Sequence, residues 1–351
     1  MELFGRRKIY TDVEVVDETN VVKVLQDALP IHAKNRVEIE YLYNYYKGKQ
    51  PILDRIKEVR PEIMNMIVEN RANEIVSFKV GYLMGEPVQY VSRNGKESDS
   101  TAITQLNNYC MYEDKPAKDK ELAEWFHICG TSYRMVLPDR DATGYEDEAP
   151  FETFTLDPRN AFVIYYNGLG ENAVAGVKYV TKSNGEVVYS VYTPYWYFEI
   201  SSAASVTPNL AYSGQTITKR QINTLGAIPI IEYPANEARL GEFEIVIPLL
   251  DAINNVDSNR MDGVEQFVQA LMLFHNVDIS AEDFNALREE GALKFKDIDP
   301  QLKAEVKYLT EELNQAQTQT LVDHMYETVL TICGMPNRNG GTSTSDTGSA
   351  V

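Results

Sequence analysis

Residues 247–276 read IPLLDAINNVDSNRMDGVEQFVQALMLFHN. The apolar positions in this stretch are Leu249, Ile253, Val256, Val264, Phe267, Leu271 and Phe274. They recur every three or four residues, apart from one longer gap across Arg260 and Gly263. That is the pattern of a single stripe along a helix. Pro248 suits the first turn, where its missing N–H has no partner to lose. The spacing predicts one helix over the whole stretch, roughly 40 Å long at about 1.5 Å per residue. The opposite face carries Asp251, Asn255, Ser258, Asp262, Glu265 and Gln269, which are acidic or polar and include no lysine.

A second long helix is predicted over 310–334. Thr310 can cap it, and Glu311 and Glu312 stand in the first turn, where the helix dipole favours carboxylates. Its apolar positions include Leu313, Leu321, Met325, Val329 and Ile332, and its polar face includes Gln315, Gln319, Asp323 and Glu327. Gly334 and Pro336 end it. The two helices bracket a small insert, and the Gly/Ser/Thr-rich segment NRNGGTSTSDTGSA follows them.

The remaining chain is long enough to hold this unit on a large core. With 351 residues and 44% hydrophobic content, more than one domain is expected and disorder is excluded. The N-terminus has no apolar run of the kind a secretory signal needs. No stretch approaches the roughly 20 apolar residues of a membrane helix. Three scattered cysteines argue against a disulfide framework or a zinc site. The net charge of -19 argues against a protein that grips nucleic acid, because phosphate binding needs clustered Lys and Arg.

Along the chain, residues 1 to about 28 read as an arm or extended segment and 33–47 as a Tyr-rich helix. Residues 61–85 read as another helix, with Met64, Ile67, Ile75, Phe78 and Tyr82 on one side, and VQYVS at 88–92 alternates like a strand. Two shorter helices are predicted at 101–112 and 117–130, after which SYRMVLPD turns extended. Residues 151–233 are β-rich, with a hairpin expected at Ser183-Asn184-Gly185. Inside the insert, Ser280 and Asp283 form a capping-box pattern for a short helix to Glu290. LKFKDI and VKYL provide two strands around it.

Motifs for covalent chemistry are missing: the sequence contains no G-x-x-x-x-G-K-[ST], H-E-x-x-H or G-x-S-x-G. His32, His127, His275 and His324 lie far apart, without a Cys or His at ligand spacing. Asp297 with Asp299, and Asp139 with Asp141, are carboxylate pairs that leave a metal-dependent hydrolase as an alternative. Gly340 and Gly341 offer backbone N–H groups to a phosphate, but no P-loop lysine accompanies them. Cys129 lies beside Trp125 and Phe126 and reads as core.

Three segments, in order, resemble phage portal proteins of the long-tailed phages of Gram-positive bacteria. NMIVENRANEIVSFKVGYLMGEPVQY (65–90) is similar in its Asn-rich helix leading to Gly-Tyr, Gly-x-Pro and a strand. LDPRNAFVIYYNG (156–168) is similar to the point where the portal wing turns back into β-structure. GEFEIVIPLLDAINNVDSNRMDGVEQFVQALMLF (241–274) looks like the first stem helix, with its Pro-Leu-x-Asp-Ala start and its Asn, Ser and Asp spacing.

The resemblance implies an α+β portal fold. Its parts would be an N-terminal arm (1–28), a helical then β-rich wing (29–240), a first stem helix (241–276), a clip (277–309), a second stem helix (310–334) and a tunnel loop (335–351). The family's long kinked helix and crown are absent from the sequence, which stops at Val351 and so reads as truncated. The implied function is non-enzymatic and cofactor-free: a homo-oligomeric ring of about twelve subunits at one capsid vertex. Double-stranded DNA would be packaged and ejected through it. The implied partners are the terminase large subunit, the head–tail adaptor and the major capsid and scaffold proteins. The ring would assemble in the host cytoplasm, end in the virion and involve no membrane.

Asp251, Asn255, Asp262 and Glu265 would face the channel, where acidic side chains keep DNA from sticking. Leu249, Ile253, Val264, Phe267, Leu271, Leu321, Met325 and Val329 would pack the stem. Asn337, Arg338, Asn339, Thr342, Ser343 and Asp346 would form the tunnel loop. Asp283, Arg288, Lys294 and Lys296 would make the clip's contacts. The alternatives are another ring-forming phage head–tail protein, the hydrolase above and a soluble scaffold with a helical hairpin.

Overall fold

The computed structural model describes residues 5–93, 97–139, 141–143, 148–202, 214–268, 271–278, 280, 296–297, 305–309 and 315–337. The chain divides into two compact units. One comprises Met1–Gln50, Asn70–Pro248 and Leu330–Val351, the other Pro51–Glu69 and Leu249–Val329.

The first unit opens with β1 (Ile9–Thr11), α1 (Val21–Tyr46), α2 (Arg71–Leu83), α3 (Glu97–Tyr112) and α4 (Lys115–Cys129). Its strands follow as β2 (Thr131–Pro138), β3 (Phe151–Leu156), β4 (Ala161–Tyr166), β5 (Ala173–Thr181), β6 (Val187–Tyr192), β7 (Trp196–Ser202), β8 (Gln215–Ile222) and β9 (Ile230–Pro234). A six-stranded sheet has the order β1-β4-β5-β6-β7-β8, and a three-stranded sheet the order β3-β2-β9. All pairings are antiparallel except β1 with β4. One core joins inward residues of both sheets, among them Met135, Phe162, Val177, Phe198 and Ile230, to Val21, Leu25, Ala28 and Leu29 of α1.

The expected hairpin is present: Lys182 N–H donates to the Glu186 carbonyl at 2.8 Å across Ser183-Asn184-Gly185. The helices expected at 101–112 and 117–130 appear as α3 and α4. The N-terminal segment is extended where β1 forms, but its described residues are no free arm: Ile9 and Val16 belong to the core. Ile9 is buried on β1, and buried Arg6 pairs with Glu38 at 3.2 Å and Glu244 at 2.6 Å. α1 starts at Val21 rather than residue 33. Pro30 inside it removes one hydrogen bond, a loss offset by burial of the flanking Leu25, Ala28 and Leu29.

The helix expected over 61–85 begins only at Arg71, where the Asn70 side chain accepts from Asn73 N–H. The strand expected at 88–92 does not form. The Asn107 side chain accepts from Tyr90 N–H and donates to the Tyr90 carbonyl, both at 2.9 Å, and so supplies the partner a strand would have.

The second unit contains most of α5 (Ile247–Val268), then β10 (Leu271–His275), β11 (Val277–Asp278), β12 (Lys296–Asp297), β13 (Glu305–Leu309) and the larger part of α6 (Gln315–Ile332). β10 pairs antiparallel with β13, and β11 with β12. The first long helix therefore ends at Val268 and not at residue 276. LMLFH is a continuous apolar run that suits either helix or strand, and pairing of Leu271 with Leu309 decides for strand. VKYL is a strand as expected, and only Lys296 and Asp297 of LKFKDI are described as one. Of the capping-box pair Ser280 is exposed and Asp283 lies outside the described set, as do the first residues of the second helix, 310–314. α6 ends as expected: Gly334 has φ +62°, and Met335 N–H donates to the Leu330 carbonyl at 2.8 Å.

Candidate functional site

The second unit is organised by an extended segment strapped along α5. Asn254, Ser258 and Asp262 recur every four residues, so they stack on one helix face. Each side chain accepts a hydrogen bond from alternate residues of the strap. Glu69 N–H reaches Asn254 Oδ1 at 2.8 Å, Ile67 N–H reaches Ser258 Oγ at 2.9 Å, and Asn65 N–H reaches Asp262 Oδ1 at 2.7 Å. The two repeats match: four helical residues advance about 6 Å, and two extended residues about 6.6 Å. The helix thus serves the strap as a neighbouring strand would. All three acceptors are buried, Asn254 and Ser258 at 0% exposure and Asp262 at 3%.

Asp262 is the hub of this ladder. Its Oδ1 also accepts from Asn65 Nδ2 at 3.0 Å, and its Oδ2 lies 3.0 Å from Lys57 Nζ and 3.1 Å from Arg55 Nη2. Lys57 further donates to the Ile63 carbonyl at 2.9 Å, and Arg55 to Asn259 Oδ1 at 2.6 Å and the Asn65 carbonyl at 3.2 Å. Burial works to raise the Asp262 carboxyl. The Asn65 amide, Lys57 and Arg55 outweigh it and hold the group below the ordinary carboxylate range. Ile52 and Ile63 ahead of the strap, Leu250 and Ile253 on α5, and Val322 and Val329 on α6 are buried apolar residues of this unit.

This arrangement corrects the expectation for Asp262: it is enclosed by the strap and not on an open helix face, because its charge is neutralised from within the unit. Ser258, grouped with the polar face, is enclosed as well, its hydroxyl oxygen satisfied by the Ile67 N–H. Of the other residues expected to face a channel, Asn255 is exposed, with Nδ2 donating to the Asp251 carbonyl at 2.8 Å, and Asp251 and Glu265 are half-buried. The sequence reading missed Arg55, Lys57 and Asn65. Their only trace was the four-residue polar spacing on α5, which looked like a solvated face.

Among the expected packing residues, Ile253 and Val329 are buried, and Leu249, Val264 and Met325 are half-buried. Leu321 is 49% exposed. Phe267 lies on α5 with its side chain outside the described set. Leu271 stands on β10, not on the helix. Val264, Met261, Ile67 and Val68 line an open cavity of about 450 Å³ between α5 and the strap. Arg260 Nη1 donates to Gln319 Oε1 at 2.8 Å, which links α5 to α6.

Lys296 is on β12, whereas Asp283, Arg288 and Lys294 lie outside the described residues, as do Arg338, Asn339, Thr342, Ser343 and Asp346. Asn337 follows the α6 cap and is half-buried. Asp297 stands on β12 opposite Val277, and Asp299 is outside the described set. Asp139 Oδ1 accepts from Asp141 N–H at 2.9 Å. Among the described residues no three His, Cys, Asp or Glu side chains gather as metal ligands.

Comparison with known proteins bears on this geometry. A chain in the solved neck of an empty GTA particle, computed with C6 symmetry, is 10% identical with a TM-score of 0.44, covering 77% of this chain and 69% of that one. The portal protein of Bacillus phage SPP1 is 21% identical over 359 residues, covering 94% of this chain. This chain spans 64% of that relative's length. The family described as "Phage portal protein, SPP1 Gp6-like" matches residues 25–351, which takes in both long helices and the strap, and the chain belongs to that family.

Proposed function

We propose that the chain is the subunit of a homo-oligomeric ring at one vertex of a phage capsid, through which double-stranded DNA is packaged and later ejected. The observation that carries this reading is the strapped α5 with its companion α6, within a chain matched to portal proteins over residues 25–351. A channel wall must resist sideways load and must not trap its cargo. The strap meets the first need, because each buried acceptor on α5 has a donor and the helix cannot slide without breaking several bonds at once. Charge meets the second. A chain at -19 repels phosphate, so contacts with passing DNA stay weak.

In this reading Asp251, Asn255 and Glu265 face the channel. Leu321 and the open cavity beside Val264 are surfaces for neighbouring subunits in a ring of about twelve. Residues 277–309 form the clip, which meets the terminase large subunit during packaging and the head–tail adaptor afterwards, with Asp283, Arg288, Lys294 and Lys296 as contacts. Residues 335–351 form the tunnel loop, and Arg338 is its cation for a passing phosphate. Major capsid and scaffold proteins surround the wing. The protein works in the virion after assembly in the host cytoplasm, and its action is passage and docking without a covalent step.

Negative-stain microscopy with native mass spectrometry tests the reading. Rings with an axial hole are expected from the full-length gene product. A monomer at every concentration of that product would overturn it. In assembled particles, Asp251→Lys with Glu265→Lys should leave rings intact but slow packaging, and normal packaging would remove the electrostatic part.

A further inference from the structure

We infer that the bend at residues 55–60 of one copy of the chain inserts Ile56 and Val59 into the open cavity beside Val264 of the next copy, as the side-to-side contact of a ring. The inference rests on the ring reading above and supplies the occupant of that cavity. Ile56 is 89% exposed and Val59 75%, the most exposed large apolar side chains among the described residues of the second unit. Aliphatic groups exposed together mark a contact surface.

The bend is built to hold them outward. Arg55 and Lys57, on either side of Ile56, are both tied to Asp262, and Lys57 also donates to the Ile63 carbonyl. Ile63 N–H donates to the Arg60 carbonyl at 3.0 Å, and Arg60 takes φ +54° there. With its neighbours anchored, the pair can be buried against a partner with little further loss of chain entropy. The receiving cavity is about 450 Å³, and Ile67, Val68, Met261 and Val264 form its apolar wall. Its charged lining calls for no acidic ligand, because Asp257 and Arg260 pair with each other at 3.5 Å and the remaining charge is Glu69.

Position selects a second copy as the occupant. Arg55 reaches Asn259, which at about 100° per residue stands about 60° to one side of the Asp262 row on α5. Met261, Asp257 and Val264, which line the cavity, stand about 100°, 140° and 160° to the other side. Bend and cavity therefore lie on opposite flanks of one helix. Contacts that close a ring are heterologous and need two such surfaces, one for each neighbour. A two-fold contact would set bend against bend and leave the cavity open. Leu321 is the next most exposed apolar residue of the unit, but it lies on α6, which Arg260 ties to the far face of α5 through Gln319, away from the bend.

Disulfide trapping in the full-length gene product tests this. Chains carrying both Val59→Cys and Met261→Cys, oxidised as rings, should give a ladder of covalent multimers on a denaturing gel without reductant. A mixture of the two single variants should stop at dimers, and each single variant alone should stay monomeric. Cys110, Cys129 and Cys333 are buried and should not add bonds. Ile56→Cys with Val264→Cys is the second pair. Ile56→Asp should raise the concentration at which half the chains are in rings at least about tenfold, with the melting curve of the dissociated chain unchanged. Wild-type rings with no ladder from either pair overturn the inference and leave the ring reading standing. So does a ladder from Val59→Cys alone, or an Ile56→Asp ring as stable as the wild type. A wild-type product that forms no ring at any concentration overturns both.

Discussion

Asp262→Ala removes the hub of the strap, and its effect can be worked from the geometry. The mutation deletes the acceptor for Asn65 N–H and Asn65 Nδ2 and the counter-charge of Lys57 and Arg55. Breaking a buried ion pair by removing one partner costs about 3–5 kcal/mol. Here the side chains of Lys57 and Arg55 keep 20% and 17% exposure and can turn partly to water, so the lower end, about 3 kcal/mol, applies. A loss of that size raises the opening equilibrium of the strap about a hundredfold. Amide hydrogen exchange reads this directly: Asn65, Ile67 and Glu69 donate to the three rungs and should all accelerate, Asn65 most. Asp262→Asn keeps an acceptor for Asn65 but loses the charge, and should accelerate exchange only about tenfold, for about 1.5 kcal/mol. Acid should mimic Asp262→Ala. The carboxyl is held below its ordinary value of 3.8, so the unfolded strap takes up the proton first. The stabilisation is whole above that value and disappears as pH falls through the folded one. If Asn65, Ile67 and Glu69 exchange at wild-type rates in Asp262→Ala, the strap is held by something other than this carboxylate.

Four further outcomes are expected. Burial pulls the pKa of His32 down to about 4, so the neutral ring in the fold resists a proton that the unfolded chain accepts near 6.5. About 3 kcal/mol of the first unit's stability should therefore be present above pH 6.5 and lost as pH falls towards 4, and urea unfolding of wild type against His32→Gln should isolate it. Gly130→Ala should cost at least about 2 kcal/mol in thermal melts, because φ is +79° there and a Cβ would stand 2.0 Å from the Arg239 carbonyl oxygen. Ile253→Ala should cost about 2–5 kcal/mol in the monomer, since Ile253 is 1% exposed. Leu321→Ala should cost under about 0.5 kcal/mol in the monomer, so a larger loss on ring assembly would mark Leu321 as a subunit contact.

The legible parts of this fold were those governed by local rules. The Asn-Gly turn after β5, the α3–α4 pair and the glycine stop after α6 follow from turn chemistry and helix periodicity, and each is where those rules put it. The misread parts share one cause, a distant partner. Residues 5–11 looked like an arm because nothing local shows that Arg6 meets Glu244, far along the chain. Tyr90 looked like a strand residue because Asn107 stands in for the strand that would pair with it. Leu271 looked helical until its partner Leu309 was known. In each case the backbone or charge was satisfied by a group whose position the sequence does not encode locally.

The polar stripe of α5 carries that lesson into the site. Asn254, Ser258 and Asp262 fit a solvated helix face in spacing and polarity, yet they are among the most buried polar residues of the chain. What distinguishes the two cases is the kind of side chain. A solvated face tolerates long charged residues, and α5 carries those at Arg260 and Glu265. The strap positions hold only short acceptors, because a backbone N–H lying against a helix leaves no room for a longer arm. Short acceptors at i, i+4 and i+8 are therefore a signal for a docked extended segment, since four helical residues and two extended ones advance by nearly the same distance. The segment itself should then show alternation, and it is alternate residues, Asn65, Ile67 and Glu69, that donate to α5. Replacing Ser258 with Gln tests the size argument. The longer amide keeps an acceptor, but it should still accelerate exchange at Ile67 by displacing the strap, whereas Ser258→Thr should leave the rung in place.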